Sequence, residues 1–403
     1  MNPLLEGRPG LARVLEALDR NGEEARIVGG AVRDWLVGRC QRSDIDIATT
    51  ARPEEVVRRA RAGGLKAVPT GIEHGTVTLI ADGEPYEVTT LREDIETDGR
   101  RAVVTFGRDW RADAERRDFT MNALYLTRDG ELVDLVGGEA DARAGHVRFI
   151  GEADRRITED YLRILRLFRF HAAYGRGDID ADALAAAIRH KEGLARLSRE
   201  RVRAELMKLF VAPRAAETLA IMREAGLFDL VLGRPGDVAT VARLADIEAA
   251  LDLPPDAVRR LGALAVRGEE DARALREELR LSNAEAARLL AMAGPAATPG
   301  MCEKGQKAFL YRMGREAFLD RALIAFARSG ASLEEEGWRA LITIARGWPL
   351  PVFPLKAADL IGVGLPPGPA LGAALKRAEE AWIEAGFPMD AAAMERLVRE
   401  AVG

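Results

Sequence analysis

The sequence predicts a protein of the α+β class, with a mixed sheet and helices in an amino-terminal head and only helices after it. Two observations predict this division. The first 150 residues alternate short strand-like apolar runs with amphipathic helical stretches, whereas the chain from residue 180 onward has helical periodicity. A chain of 403 residues also has room for two to four domains, at the usual ~100 to 200 residues each.

Composition excludes several classes of protein. With 48% hydrophobic and 31% charged residues, the chain can bury a core and is not disordered. Its two cysteines, Cys40 and Cys302, form no metal or disulfide pattern, which favours a reducing compartment. The amino terminus carries scattered acids and does not resemble a signal peptide, and no run approaches the ~20 apolar residues of a membrane span. We therefore expect a cytoplasmic protein without a membrane partner.

The elements of the head follow from apolar spacing and turn residues. A Pro at the first turn marks one helix, and an Asp-Gly pair between two apolar runs marks a hairpin. In order, we predict a helix over 11–18, a strand edge at 27–28, a helix over 31–37, a strand over 45–48, a helix over 53–61, hairpin strands over 76–80 and 86–91, and a last strand over 133–135. Residues 92–111 are charged and rich in turn residues, so we expect a solvated loop there.

The strand over 45–48 carries the strongest chemical signal. Alternate side chains of a strand share a face, so Asp44 and Asp46 project together while Ile45 and Ile47 point into a core. Paired carboxylates offer the oxygen ligands that Mg²⁺ prefers, and Mg²⁺ completes its shell with water and substrate phosphates. A lone Asp-x-Asp is more often a solvated turn or strand edge.

The turn before this strand adds a second signal. Gly29 and Gly30 lie between a strand and a helix, where bare backbone amides favour a phosphate, and Arg33 lies in the first helical turn. A triphosphate facing a metal ion is therefore the working hypothesis. Glu87, in the middle of a hairpin strand, becomes a third carboxylate of the metal cluster if that strand lies beside Asp46. The alternative is a cross-strand ion pair.

The segment Arg116-Arg117-Asp118 precedes apolar residues that anchor a buried helix or strand. Arg117 then lies at the exposed start of this helix or strand, where its guanidinium can bind a triphosphate through bidentate hydrogen bonds. Asn122 is expected to support the site by hydrogen bonding rather than to react.

A helix is predicted from about Asp154 to Phe170. Its charged half carries Asp160, Arg163, Arg166 and Arg169, but apolar residues are threaded among these charges, so we expect another part of the protein or a ligand to cover this face. Asp160 and Arg163 are one turn apart. An acceptor beside a donor matches the amino group and ring nitrogen of cytosine and adenine, and mismatches uracil and guanine. The alternative is an ordinary intrahelical ion pair.

The ordered motifs GGAVRD, DIDI, EHGTVTL, EVTTLR, DGRR, RRDFTMNAL and EDYLRILRLFRF resemble the bacterial tRNA nucleotidyltransferases (class II CCA-adding enzymes) and the related bacterial poly(A) polymerases. The motifs cover roughly residues 25–215. The resemblance implies a nucleotidyltransferase head over 1–150, a helical neck with a base-reading helix over 151–215, a helical body over 216–300, and a helical tail over 301–403 that binds tRNA.

The resemblance also implies an activity: addition of CCA to the 3′ end of tRNA from CTP and ATP, with Mg²⁺ and without a nucleic-acid template. The strand, hairpin and turn geometry above assigns catalysis to Asp44, Asp46 and Glu87, the metal to Asp44 and Asp46, and triphosphate binding to Gly30 and Arg33. The resemblance adds nucleotide binding by Arg117, by Asp160 and Arg163 of the family's EDxxR motif, and by Arg166 and Arg169. In the family, a flexible loop comparable to 92–111 is needed to switch from C to A addition, which favours full CCA addition.

Three other functions stay open at this point. The first is a poly(A) polymerase with the same head, against which the absence of a strongly basic carboxyl-terminal tail argues. The second is an enzyme that adds only CC or only A. The third is a catalytically inactive RNA-binding protein, against which the intact Asp44, Asp46 and RRD motif argue.

The carboxyl-terminal half gives weaker signals. Ser198 and Ser282 are predicted to cap helices, the latter in a capping box with Glu285. Arg199, Arg201, Arg203 and Lys208 either contact RNA phosphates or solvate a helix. Residues 359–377 read as helix, Gly/Pro hairpin and helix, which is either a phosphate grip or a structural turn. The four histidines are too scattered for a metal site.

Overall fold

The computed structural model describes residues 4–39, 44–98 and 101–402, with side chains except at 93–98, 101–105 and 402. The chain divides into two compact units, Met1–Pro235 and Gly236–Gly403. The strands of the described residues lie in the first unit: β1 Ala25–Val28, β2 Asp46–Thr49, β3 Lys66–Gly71, β4 Thr76–Ala81, β5 Glu84–Thr90, β6 Arg92–Asp98, β7 Arg101–Phe106, β8 Leu124–Leu126 and β9 Leu132–Asp134.

Seven strands form one mixed sheet in the order β3-β4-β5-β2-β1-β8-β9. Only the β2–β5 pair is parallel, and it lies near the centre of the sheet. The β4–β5 hairpin turns at Asp82 (φ +53°) and Gly83 (φ +82°), the left-handed pair that the Asp-Gly signal predicts. The remaining strands, β6 and β7, form a separate two-stranded sheet. The prediction of a solvated loop over 92–111 is therefore wrong, because most of it pairs as a hairpin.

The helices of the first unit are α1 Pro9–Leu18, α2 Gly30–Leu36, α3 Pro53–Ala62, α4 Trp110–Glu115, α5 Gly138–Ala144, α6 Ala153–Glu159, α7 Leu162–Tyr174, α8 Ala181–His190, α9 Arg199–Phe210, α10 Ala215–Glu224 and α11 Phe228–Val231. Short 3₁₀ helices occupy Ile72–His74, Thr120–Asn122 and Lys191–Arg196. The predicted elements over 11–18, 31–37 and 53–61 are confirmed as α1, α2 and α3. Pro53 begins α3, where a missing backbone N–H costs no helical hydrogen bond.

The core of the head forms between the sheet and helices α1 and α3. Leu11, Leu15 and Leu18 of α1 are at most 1% exposed, as are the strand residues Ile27 and Ile47. Burial of apolar surface at about 25 cal/mol per Å² is the main stabilising contribution to such a layer. The central strands β1 and β2 are thereby held rigidly, which positions the residues at their ends.

The second unit is all helical, as predicted. Its helices are α12 Val238–Ala250, α13 Ala257–Ala265, α14 Glu269–Leu279, α15 Asn283–Met292, α16 Glu303–Met313, α17 Arg315–Ser329, α18 Glu336–Gly347, α19 Ala357–Gly362, α20 Pro369–Ala385 and α21 Ala391–Val402. The capping box of Ser282 and Glu285 is confirmed at the start of α15. Ser198 precedes α9, but its hydroxyl caps no backbone N–H, so that predicted cap is wrong.

A buried ionic network connects four helices of the second unit. Asp320 of α17 is fully buried and accepts hydrogen bonds from Arg259 Nε (2.8 Å) and Arg288 Nε (2.7 Å). Glu248 of α12, 1% exposed, accepts from Arg259 Nη1 and Arg260 Nε, each at 2.9 Å. Buried charges persist only when they are paired and hydrogen-bonded, and here each carboxylate is shared by two guanidiniums.

Candidate active site

The predicted alternation at the start of β2 is confirmed. Ile45 and Ile47 are 4% and 0% exposed, whereas Asp44 and Asp46 are exposed to solvent. In the parallel ladder Asp46 is paired with Glu87 of β5, and on its other side Asp46 is paired with Val28 of β1. Paired positions in neighbouring strands carry side chains on the same face. The sheet therefore brings the two predicted carboxylates Asp46 and Glu87 side by side.

The electrostatics of this edge disfavour the ionised form of Asp46. Although the Asp46 side chain reaches solvent, the protein atoms around its carboxyl displace part of the water and raise its pKa most; the negative charges of Glu87 and Asp44 raise it further, to about 6, and Arg117 acts in the opposite direction. A cation bound between these oxygens would relieve that repulsion, and carboxylate oxygens are the ligands that hard divalent cations prefer. The donor set therefore fits a divalent metal ion.

Among the residues described, no three His, Cys, Asp or Glu side chains are arranged to hold a metal ion together. A pair of carboxylates, with the remaining positions filled by water and phosphate oxygens, agrees with the ligand count that Mg²⁺ sites often show. The role of Glu87 as a further catalytic group stays a prediction.

A cleft of about 330 Å³ opens over this part of the sheet. Its charged lining combines acids with bases: Asp46, Glu87, Asp113, Arg92, Arg116 and Arg117. A metal ion would be attracted to the acidic part, and a polyphosphate to the guanidiniums. The cleft thus brings the predicted phosphate clamp, Arg117, together with the predicted metal ligand, Asp46.

Arg117 is held in place by Asp113, a residue that the sequence reasoning missed. Asp113 is fully buried in α4, and its Oδ2 accepts from Arg117 Nη2 at 3.1 Å and from the Tyr125 hydroxyl at 2.9 Å. Its Oδ1 accepts from Arg116 Nε at 2.8 Å. The available signal was spacing, because an acid three and four positions before two arginines can reach both from one helical turn.

The two partners stabilise each other's charge. Burial alone would raise the pKa of Asp113, but Arg117 and Arg116 outweigh it and hold that pKa below its ordinary value. Burial alone would lower the pKa of Arg117, but the Asp113 carboxylate raises it instead. Arg117 therefore remains a cation in the cleft.

Arg33 is buried and hydrogen-bonded within the protein, and its binding of nucleotide stays a prediction. It is 6% exposed and donates to Asn122 Oδ1 (2.6 Å), to the Tyr174 hydroxyl (2.6 Å) and to Asp34 Oδ1 (2.8 Å). Its guanidinium also lies 3.9 Å from the centre of the Tyr174 ring, in a cation–π contact. Arg33 does not line the cleft of Asp46, because these partners hold it in the protein interior.

The glycine turn before α2 lies close to the arginine clamp. Gly29 has φ +76°, a conformation that side-chain-bearing residues avoid. A Cβ on Gly29 would lie 3.7 Å from Arg117 Nη1, whereas one on Gly30 would lie 3.6 Å from Arg33 Nη2. Gly29 is thus the residue beside the clamp, and the assignment of Gly30 to nucleotide binding stays a prediction.

Asn122 links the two arginine-rich parts of the head. Besides accepting from Arg33, its Nδ2 donates to Asp118 Oδ1 at 3.0 Å, and Asp118 Oδ2 accepts from Arg166 Nε at 2.7 Å. Asn122 thus makes hydrogen bonds as expected, and its role in supporting the site stays a prediction. Arg166 outweighs the effect of burial and keeps the pKa of Asp118 below its ordinary value.

The single helix predicted over 154–170 is wrong. The chain forms α6, then breaks at Asp160 and Tyr161, and resumes as α7. Asp160 has extended dihedrals (φ −155°, ψ +106°), and its Oδ1 accepts from Leu162 N at 3.1 Å. A short carboxylate that accepts from a nearby backbone N–H, here that of the first residue of α7, competes with continuation of the preceding helix, which accounts for a break at Asp160.

Asp160 and Arg163 therefore do not form an intrahelical pair. Asp160 Oδ2 accepts from Arg201 Nη2 of α9 at 2.6 Å. Arg163 Nη1 donates to Glu159 Oε2 at 2.5 Å and to the carbonyl of Arg156 at 2.8 Å. Each of the predicted base readers has its own support on a different helix.

The expectation that the charged face of α7 is covered is confirmed, and the cover is α9. Glu205 of α9, whose side chain is 8% exposed, forms ion pairs with Arg169 and, at 3.6 Å, with Arg166. Arg169 also stacks 4.0 Å over the ring of Phe170. Both arginines thus serve in holding α7 against its neighbours, and a contact to nucleotide stays a prediction.

Other predictions fall outside this site. Cys302 is exposed, and Cys40 lies outside the described residues. Within the described part of the chain, none of the helices is long and apolar enough to cross a membrane.

Comparison with known proteins agrees with these features. Residues 25–148 match a family model described as Poly A polymerase head domain, and residues 178–236 match one described as probable RNA and SrmB-binding site of polymerase A. The chain is 34% identical to human CCA tRNA nucleotidyltransferase 1, mitochondrial, over 94% of this chain and 88% of the relative. It is 42% identical to the CCA-adding enzyme of Leuconostoc citreum, over 56% and 54%.

Solved structures of CCA-adding enzymes have a fold similar to that of this chain. The chain is similar to the Bacillus stearothermophilus CCA-adding enzyme in complex with CTP, with a TM-score of 0.73, 30% identity and coverage of 96% and 94% of the two chains. A Thermotoga maritima CCA-adding enzyme complexed with tRNA shares the fold, with a TM-score of 0.68 at 19% identity and coverage of 99% and 97%. Enzymes of this family generally use a divalent metal ion. The α+β head, the helical remainder and the long, 34% identical match together place the chain in the family of CCA-adding tRNA nucleotidyltransferases.

Proposed function

We propose that this chain adds C, C and A to the 3′ end of tRNA, using CTP and ATP and no nucleic-acid template. One observation carries the proposal: a single cleft combines the carboxylates Asp46 and Glu87 with Arg117. Support also comes from the relatives, which include an enzyme named for CCA addition to tRNA and one solved in complex with CTP.

The reaction is a nucleotidyl transfer. The 3′ hydroxyl oxygen of the tRNA forms a bond to the α-phosphorus, the bond from that phosphorus to the bridging oxygen of the β-phosphate breaks, pyrophosphate leaves, and the hydroxyl proton passes to solvent. We propose that Arg117 binds the triphosphate and stabilises the charge that accumulates on the leaving pyrophosphate. Asp113 holds Arg117 in the orientation that this task requires.

We propose Mg²⁺ as the metal, with Asp44 and Asp46 as its protein ligands. When bound, Mg²⁺ would supply positive charge to stabilise the phosphate oxygens during transfer. Glu87 adds negative charge next to Asp46, which strengthens the attraction for a divalent cation.

Base selection is proposed to rest on Asp160 and Arg163. Among the residues described, Nε and Nη2 of Arg163 donate to no protein group, so these N–H groups remain available to a ring nitrogen or base carbonyl. The Asp160 carboxylate has about four acceptor positions and uses two of them. Cytosine and adenine offer an amino group to such an acceptor, whereas uracil and guanine offer a carbonyl there. Arg166 and Arg169 support this arrangement through Asp118 and Glu205.

We also retain, as proposals, the domain boundaries 1–150, 151–215, 216–300 and 301–403, tRNA binding by the last of these, and a cytoplasmic location. The boundary near residue 235 between the two compact units falls within the proposed body.

The test incubates the purified protein with tRNA that lacks its last three nucleotides, with Mg²⁺, and with each nucleotide singly and together. We expect CTP alone to give CC ends, CTP with ATP to give CCA ends, and chelation of the metal to stop both. Long A tracts would instead indicate a poly(A) polymerase, and addition of only CC or only A would indicate a partial enzyme. RNA binding without any incorporation would contradict the proposal.

A further inference from the structure

The Asp160 carboxylate is held by a residue that lies 41 positions further along the chain. Arg201 Nη2 donates to Asp160 Oδ2 at 2.6 Å, and the two side chains are 44% and 29% exposed. Among the residues described, this is the one side-chain hydrogen bond that Arg201 makes. The nucleotide assignments do not include Arg201.

The helix that carries Arg201 is itself fixed against α7. Arg201 and Glu205 are four residues apart in α9, so their side chains lie on the same face of that helix. Glu205 is buried and forms ion pairs with Arg169 and Arg166 of α7. These ion pairs of Glu205 hold α9 against α7. The guanidinium of Arg201 therefore lies at the break between α6 and α7, beside Asp160.

Two hydrogen bonds from opposite sides fix the orientation of the Asp160 carboxylate. Leu162 N donates to Oδ1 and Arg201 Nη2 donates to Oδ2, so rotation of the carboxylate plane breaks one or both bonds. Each oxygen still has a lone pair for an incoming amino group. Without Arg201, Oδ2 has no hydrogen-bond partner within the described parts of the chain, and the partly exposed side chain is free to turn toward solvent.

We infer that Arg201 is a specificity-determining positioning residue, which orients Asp160 so that it accepts the amino group of cytosine or adenine. This inference rests on the proposed function, because it requires Asp160 to read the base. Orientation of Asp160 by Arg201 would act selectively. An oriented acceptor strengthens the binding of bases that donate a hydrogen bond at this position, and does not strengthen the binding of bases that present a carbonyl there.

The competing interpretation is that Arg201, as an exposed basic residue on α9, binds a tRNA phosphate. The two roles predict different effects of replacing Arg201, one on tRNA affinity and the other on nucleotide discrimination. Loss of a phosphate contact weakens tRNA binding equally for all nucleotides. Loss of a positioning contact alters the ratio of correct to incorrect nucleotide and leaves the apparent affinity for tRNA unchanged.

The experiment measures kcat and KM for CTP, ATP, UTP and GTP, on tRNA lacking CCA and on tRNA ending in CC. For Arg201→Met we expect kcat/KM for CTP and ATP to fall about 10- to 30-fold, as for a lost charge-assisted hydrogen bond. The values for UTP and GTP should stay within about threefold, so discrimination falls about tenfold. Arg201→Lys should recover part of the discrimination, because an ammonium can still donate to Oδ2.

Lys208→Met is the matched control, because Lys208 is an exposed basic residue on the same helix and seven positions away. It should leave the discrimination ratio unchanged. Arg201→Gln is the second variant, to be used if the melting temperature of Arg201→Met falls. A rise in the KM for tRNA with an unchanged ratio in either variant would overturn the inference.

A double-mutant cycle tests whether Arg201 acts through Asp160. In an Asp160→Ala background, Arg201→Met should have no further effect on the discrimination ratio. Additive effects would overturn the inference while leaving Asp160 as a base reader. If Asp160→Ala alone leaves the ratio unchanged, the proposed base selection itself fails, and the inference fails with it; the two failures are therefore distinguishable.

Discussion

Asp46 and Glu87 occupy directly paired positions on the parallel strands β2 and β5, so two carboxylates of like charge lie side by side at the floor of a cleft. This pairing is costly for the protein alone, because with the loss of solvent it raises the pKa of Asp46 to about 6. Adjacent groups of like charge, which lower the stability of the folded protein, are typical of functional sites. A cation bound between the two carboxylates would offset this cost.

The first prediction concerns Asp46→Asn. We expect nucleotide incorporation to fall by at least about 10³-fold, because a metal ligand is lost, while the melting temperature stays the same or rises because repulsion with Glu87 is relieved. Rapid-quench incorporation and thermal unfolding measure the two quantities. Glu54→Gln, at an exposed acid on α3, is the control and should change neither. A variant that keeps wild-type activity would contradict the proposed metal site.

The second prediction concerns Asp113→Asn. The neutral amide no longer balances Arg116 and Arg117, so we expect the KM for CTP and for ATP to rise by a similar factor of about ten. Steady-state kinetics with all four nucleotides measure this change. Tyr125→Phe removes one hydrogen bond to Asp113 and leaves both guanidiniums paired, so its effect should be smaller. A change in discrimination between C and U, rather than in affinity for all triphosphates, would argue against a phosphate clamp.

The third prediction concerns pH and His171, which is 2% exposed on α7 and whose Nε2 has no hydrogen-bond partner among the residues that the structure describes. Burial, and then the positive charge of Arg214, lower the pKa of His171 from 6.5 to about 4. Above pH 6.5 the ring is neutral in both states and the full stability is present. Below pH 6.5 the unfolded chain takes up a proton that the folded chain refuses, so stability is lost as pH falls toward 4.

This loss is on the order of 3 kcal/mol at most. Urea unfolding at pH 7.5 and pH 5.0 measures it for the wild type and for His171→Gln. The variant should show a smaller difference between the two pH values, because its side chain does not titrate. His74→Gln, at an exposed position, should keep the wild-type difference. Equal pH dependence in the wild type and His171→Gln would remove His171 as the cause.

The fourth prediction concerns the buried network of the second unit. Asp320→Ala leaves Arg259 and Arg288 without their shared carboxylate, so we expect a destabilisation of about 3 to 5 kcal/mol. Tryptophan fluorescence during urea unfolding reports on it, since Trp338 is buried in this unit. Glu269→Gln breaks a pair whose side chains are 67% and 61% exposed and should cost at most about 1 kcal/mol. Similar losses in both variants would show that burial does not set the cost.

Several features of the head were predictable from the sequence because they depend on local patterns. The alternation around Asp44 and Asp46 and the Asp-Gly hairpin each rest on a few adjacent residues, and both are confirmed. The break at Asp160 was not predictable from periodicity, since α6 and α7 continue the same helical pattern on both sides. At the break, Leu162 N donates to the Asp160 side chain, a local contact that apolar spacing does not reveal.

Long-range partners were also beyond sequence reasoning. Arg33 was assigned to a triphosphate because it follows a glycine turn, and that assignment stays a prediction; the sequence did not reveal that Tyr174, 141 positions away, accepts its hydrogen bond. Asp113 was missed because an acid near two arginines is common on a solvated helix. Its importance becomes visible only when its complete burial is known. In both cases the tertiary environment, rather than the residue type, decides what the side chain does.

The break between α6 and α7 places the two proposed base readers on separate scaffolds. Asp160 accepts a hydrogen bond from Arg201 of α9, whereas Arg163 donates one to Glu159 at the end of α6. Acceptor and donor can therefore be retuned one at a time. To redirect the enzyme toward a modified nucleobase, Asp160 can be replaced together with Arg201 while Arg163 and Glu159 are kept. The reverse exchange, of Arg163 together with Glu159, would change the donor and keep the acceptor.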